Sequence, residues 1–276
     1  MYSLYYRARL LLMLVGLSFL VMLTASIATA ETPLSADQIV QKAVQRSEAA
    51  KTHEKRPDYR YTKHTITDEL DPNGRLKDRK EKLYEVLVAS GLSYIKLVQA
   101  NGQSLSPAEL KKQQDRELAD RQKMTDSKPD KTGDDRENFL TADIVSRYKF
   151  TILGQKTFND RTTYLVAFEP KGGNLPVHKL TDRFLNHVAG TVWIDAQEYE
   201  VARVEAHLTA EVSLWGGMIG TLRQCNYTLE RTRLADGSWF NSFSHGLFEG
   251  RKLLEPMLVR TRSESTNFAR ANLASK

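Results

Sequence analysis

Apolar residues fall at helical spacing in only a few short stretches of this chain and at strand spacing through much of the rest. Ser35 followed three residues later by Gln38 has the form of a capping box, and Ile39, Val40, Ala43 and Val44 then share one face. This predicts an amphipathic helix ending near Ala50. After polar residues 51–58, broken by Pro57, the period shortens to that of strands. Tyr59 to Asp68 and Leu76 to Val88 read as a hairpin across Asp71-Pro72-Asn73-Gly74, with Ser93 to Ala100 as a third strand. Ser106-Pro107-Ala108-Glu109 opens a second helix, to about Lys123, with a capping Ser and Pro at the first helical position. That helix is almost wholly polar and has little face to bury. The stretch from Thr125 to Asp135 carries too little apolar area to offset its ordering entropy, so residues 106–136 are expected to form a flexible insertion.

Beyond it, a short helix around Phe139, Ile144 and Val145 leads into strands at about Lys149 to Phe158 and Thr163 to Glu169, turned by Asn159-Asp160. Leu180, Phe184 and Val188 recur at helical spacing and predict a short amphipathic helix before Gly190. The remainder reads as an antiparallel meander: Thr191 to Asp195, Tyr199 to Thr209, Thr221 to Leu234, Ser238 to Gly250 and Pro256 to Phe268. In its second strand Val204, Ala206 and Leu208 alternate with Arg203, Glu205 and His207, which makes one face dry and the other wet. A long antiparallel sheet with a few helices is an α+β architecture, and its natural form is a curved sheet or partly open barrel.

The chain opens differently. Arg7 and Arg9, an apolar run from Leu10 to Leu23 and the small residues Ala28-Thr29-Ala30 have the form of a secretory signal cleaved after Ala30. The run is shorter than the roughly 20 apolar residues a membrane helix needs. No Cys near the cleavage site would carry an acyl anchor. A periplasmic protein is expected, with residues 31–276 as one domain.

Charge adds a mild constraint. The chain has 40 Lys and Arg against 34 Asp and Glu, and loss of Arg7 and Arg9 with the signal lowers the net charge from +6 to about +4. That excess suits transient contact with an anionic membrane surface or an acidic partner, and it lacks the dense basic block of a nucleic-acid binder. Cys225 is the only cysteine, so no internal disulfide forms and stability must come from burial. Strand alternation sets Cys225 on a face with Tyr227 and Leu229, as an inert thiol.

Catalytic signatures are missing: there is no Gly-x-Ser-x-Gly elbow, no His-Glu-x-x-His helix and no Gly-rich phosphate loop with Lys. The six His residues are scattered, and Ser244 and His245, adjacent in a strand, point to opposite faces. Asp195, Glu198 and Glu200 crowd one turn, which ordinary hairpin chemistry accounts for without a metal. No catalytic residue, cofactor or metal is assigned. Two apolar features stand out instead: the glycine-hinged segment Leu214-Trp215-Gly216-Gly217-Met218-Ile219, and the helix with Leu180, Phe184 and Val188, a cover or lid over the sheet.

The stretch Gly190-Thr191-Val192-Trp193-Ile194-Asp195, followed by Tyr199-Glu200-Val201-Ala202-Arg203-Val204, resembles the Trp-hydrophobic-Asp hairpin of LolA-like outer-membrane lipoprotein-sorting proteins. The segment from Tyr59 through Glu109 resembles uncharacterised exported bacterial proteins placed near that group. The resemblance implies an unclosed β-barrel, covered by helices, whose apolar concave face holds a lipid or a lipidated protein. Leu180, Phe184, Val188, Trp193, Trp215, Met218 and Ile219 are then the candidate ligand contacts. The polar insertion departs from the compact carriers of that group. The alternative expectation is a module of the same fold that binds an envelope protein partner or senses envelope stress, without lipid transport.

Overall fold

The computed structural model describes residues 33–52, 57–89, 92–115, 140–173, 175–177, 180–214, 220–253 and 255–271. In chain order these form α1 (Ala36–Thr52), β1 (Tyr59–Leu70), β2 (Leu76–Ala89), β3 (Leu92–Ala100) and β4 (Gln103–Ser104). A helix over 107–115, α2, follows. Then come α3 (Ala142–Ser146), β5 (Tyr148–Phe158), β6 (Arg161–Pro170), α4 (Leu180–Leu185), β7 (Val188–Asp195) and β8 (Val201–Leu208). The chain closes with β9 (Val212–Leu214), β10 (Gly220–Arg233), β11 (Trp239–Lys252) and β12 (Glu255–Arg270).

All the strands join one 12-stranded sheet in the order β4-β3-β2-β1-β12-β11-β10-β8-β7-β6-β5, with β9 beside β10. Every pairing is antiparallel. The first strand pairs with the last, Thr65 opposite Ser263, while β4 and β5 end the order without meeting. The result is an α+β unclosed half-barrel. No helix among the described residues is long and apolar enough to cross a membrane.

Local chemistry explains most of the element boundaries. Ser35 and Gln38 make the reciprocal capping box of α1, at 2.8 and 3.2 Å, and Ser106 and Glu109 make the same motif on α2, at 2.9 and 3.3 Å. Thr141 caps α3 through the Ile144 N–H. The β1–β2 turn is closed by the Asp71 carboxylate, which accepts from Asn73 and Arg75 N–H, with Gly74 at φ 79° where a Cβ would be strained. Asn159 and Asp160 both take positive φ, as the tight β5–β6 turn requires.

Helix α1 packs against β5 and β7 and buries Ile39, Val40 and Ala43 completely. At about 1.5–3 kcal/mol for each large apolar side chain, that face outweighs anything the cap contributes. Arg46 and Lys42 add contacts to Glu200 (3.2 Å) and the Tyr199 hydroxyl (3.3 Å). A second core lies across the β1–β12 seam, where Tyr59, Tyr61, Val86, Val88 and Phe240 are buried together. Polar α2 lies on the surface, yet the Gln113 carboxamide donates to the Leu97 carbonyl (3.0 Å) and accepts from its N–H (3.1 Å). It thereby blunts the outer edge of β3 beyond short β4.

Two expectations need correction. The helix read through Leu180, Phe184 and Val188 ends at Leu185, and Val188 instead begins β7 opposite Leu208. A β-branched residue next to a free ladder position gains more from sheet pairing than from one more helical turn. The strand read from Tyr199 starts at Val201, because Tyr199 takes φ 55° inside the turn. The remainder of the polar insertion, 116–139, lies outside the described residues.

Candidate functional site

The register places Phe168 opposite Gly190, Gly190 opposite Ala206 and Ala206 opposite Tyr227. The neighbouring rows Ala167–Thr191–Glu205–Thr228 and Ala189–His207–Asn226 flank this row and turn their side chains to the opposite face. Both of these rows line a groove of about 1000 Å³, which is walled by the 172–177 loop and by Asn186 and His187. Its lining mixes apolar Leu175, Val177 and Ala189 with polar Glu205, His207 and Asn226. On the other face of the sheet Val166, Val192 and Val204 are buried.

One buried arginine holds the wall in place. Arg147, at the C-terminus of α3, is 2% exposed; it donates to the Pro176 carbonyl at 2.8 Å and to Asn186 Oδ1 at 3.0 Å, and it pairs with Asp182 of α4 at 3.3 Å. Asn186 in turn donates to the Leu175 carbonyl, and the Tyr148 hydroxyl donates to the Leu185 carbonyl at 2.6 Å. Burial pushes the Tyr148 phenol up to about 12, so it remains a donor throughout the physiological range. Helix α4 is therefore tied down from three directions.

Of the sequence-derived contacts, Leu180 opens α4 and Phe184 lies half-buried on it, while half-buried Val188 is in β7. Trp193 does not line the groove. It is buried with Ala202 and Trp239 nearer the C-terminal end of β7, with the Arg203 guanidinium 5.3 Å from its ring. Trp215, Met218 and Ile219 lie outside the described residues, as does the Leu180 side chain. Ala167, Thr191 and Thr228 escaped sequence reading because only the register brings them into one row. The crowded carboxylates each meet an arginine: Asp195 with Arg161 at 2.5 Å, Glu198 with Arg233 at 2.7 Å, Glu200 with Arg231 at 2.9 Å. Burial tends to raise the Asp195 carboxyl, but Arg161 and the N–H groups of Glu198 and Gln197 hold it below its usual range.

Several solved structures match this chain at low identity. The fold is similar to that of a LolA superfamily protein. That structure, from Nitrosomonas europaea, matches at 10% identity and a TM-score of 0.33, over 87% of this chain and 96% of its own. A DUF1329 family protein from Desulfovibrio piger matches at 10% identity and a TM-score of 0.34, over 88% and 96%. A chain of the Pseudomonas aeruginosa MucA/MucB complex matches at 10% identity and a TM-score of 0.26, over 84% and 98%. Neither a family model nor a curated protein matches the sequence. The likenesses carry no functional assignment, which has to come from the groove itself.

Proposed function

We propose that this chain is an exported, non-enzymatic binding protein that holds the acyl part of a lipid or lipidated protein in the groove beside the 172–177 loop. The observation that supports this reading is the groove itself, where the small side chains of Ala167 and Ala189 leave room beside apolar Leu175 and Val177. An acyl chain laid there gains about 0.8 kcal/mol for each methylene removed from water. The mixed rim leaves a polar group in contact with solvent, as an amphiphile requires. Loading and release would take place at a membrane surface or on a partner in the periplasm.

Native mass spectrometry of the gently purified protein tests it, with Ala167→Phe as the variant that fills the groove. Wild type should carry lipid and Ala167→Phe should lose it while keeping its circular dichroism. Lipid retained equally by both would place the ligand elsewhere, and none in either would reject the carrier reading.

A second reading, a protein-interaction module, is favoured by a different observation. β5 ends the strand order and exposes Ile152 and Leu153, at 39% and 59%, along its outer edge. An extended segment of a partner could add there as a further strand. Empty wild type, together with cross-linking from residue 153 to an envelope protein, would favour it.

A further inference from the structure

The two ends of the strand order differ in how their edges are closed. At β3 the outer edge is covered by short β4 and by the Gln113 carboxamide, which engages both the N–H and the carbonyl of Leu97. At β5 nothing comparable is present among the described residues. Antiparallel pairing with β6 uses the backbone groups of alternate β5 residues and turns the others outward. Beyond that ladder the Lys156 carbonyl accepts from the Thr163 hydroxyl at 2.7 Å, and no other hydrogen bond reaches the backbone of residues 149–158 among the described residues. Lys149, Thr151, Ile152, Leu153, Gln155 and Lys156 are all exposed. Such an edge is a template for one more strand.

Charge selects what pairs there. β5 contains two lysines and no acid, and neither lysine has an ion-pair partner among the described residues. Lys149 stands opposite Glu169, Thr151 opposite Ala167, Gly154 opposite Leu165 and Lys156 opposite Thr163. Residues 163, 165, 167 and 169 share one face of β6, so the irregularity at Leu153 brings the two lysines onto one face although they are an odd number of positions apart. A second copy of β5, added antiparallel about the centre of Ile152–Leu153, would set Lys149 against Lys156 at both ends. Like charges directly opposite destabilise a sheet, so self-pairing is opposed and carboxylates at the same places are favoured.

We propose that β5 receives an extended, acidic peptide segment of a partner protein, its backbone paired to the outer edge and two of its carboxylates against Lys149 and Lys156. This rests on the protein-interaction reading of that edge, and it holds whether or not the groove carries lipid. A regular incoming strand would carry the two acids six positions apart, the spacing of Thr163 and Glu169 on β6. Between them β-branched residues would meet exposed Ile152 and Leu153.

Fluorescence anisotropy of the purified protein with labelled nine-residue Val/Thr peptides tests the assignment. One peptide carries Glu at its second and eighth positions, one carries Lys at both, and a third is the Glu peptide with two central residues replaced by Pro. At low salt the Glu peptide should bind about fivefold more tightly than the Lys peptide, the advantage expected from two exposed cross-strand charge pairs. High salt should shrink the advantage, and Lys149→Glu combined with Lys156→Glu should reverse it while circular dichroism is unchanged. The Pro peptide should not bind, because it cannot donate to the ladder, and hydrogen exchange should slow in β5 when the Glu peptide binds. Equal binding of the Glu and Lys peptides overturns the acidic assignment and leaves the edge as a docking site. Failure of both to bind, or undiminished binding of the Pro peptide, overturns pairing at the β5 edge as well.

Discussion

Gly190 and Glu205 approach so closely that a Cβ on Gly190 would lie 1.9 Å from the Glu205 carbonyl oxygen. The obstacle is backbone on the neighbouring strand, which cannot swing aside as a side chain could. Gly190→Ala should therefore displace β7 from β8, at a cost of roughly 1–3 kcal/mol. Urea denaturation measures that loss. Because the same displacement moves His207 relative to Ala189, ligand binding should fall more steeply than stability, and a variant of wild-type stability and affinity would refute the close approach.

Arg147 and Asp182 form a buried pair, at 2% and 7% side-chain exposure, that joins α3 to α4. Removing one member strands the other charge, so Arg147→Ala should cost about 3–5 kcal/mol, whereas Arg147→Leu with Asp182→Leu should recover much of it. Hydrogen exchange gives a local readout. Amides of α4 should lose protection in Arg147→Ala before those of β10 do; simultaneous loss would mean that α4 is not held separately.

Asp236 ties the start of β1 to the end of β12, which pair at one end of their seam: it accepts from the Tyr59 hydroxyl at 2.5 Å and from Arg270 at 2.8 Å. Burial pushes its carboxyl up, but these two donors and the Ser238 N–H pull it well below the usual carboxylate range. A folded-state value below the unfolded one means stability that is fully present above the unfolded value, about 3.9, and is lost as pH falls through the folded one. Wild type should therefore exceed Asp236→Asn by about 1–3 kcal/mol at pH 7. The difference should narrow below about pH 4 in urea titrations. A difference independent of pH would assign the loss to packing.

Export should remove residues 1–30, because small residues stand at positions 28 and 30 and a polar sequence begins at Glu31. N-terminal sequencing of protein from the periplasmic fraction should read Glu31-Thr32-Pro33. Intact Met1 in a membrane fraction would establish a retained anchor.

Much of this fold was written in local pattern. The caps at Ser35 and Ser106, the Asp71 turn and the strand alternation around Val204 each involve residues within a few positions of one another. Such interactions have the same form in any tertiary setting, so the strands of the meander and the α+β class were legible from the chain. Where two local forces competed, as at Val188, spacing alone chose the helix and the available sheet edge chose the strand.

The groove was decided at longer range. Ala167 and Thr228 stand 61 positions apart in the chain, and they line one groove only because three successive registers align Thr191 and Glu205 between them. A shift of one residue in any of those pairings would turn a whole strand's side chains to the other face. Trp193 illustrates the same dependence, since alternation put it on one of two faces and only its packing with Ala202 and Trp239 placed it beyond the groove. The joining of β1 to β12, which sets Thr65 and Lys82 in line with Val204, likewise follows from closing a chain of antiparallel neighbours end to end. Residue types determined which strands could form, while the burial of one sheet face under α1 determined how they align and therefore where a ligand would find room.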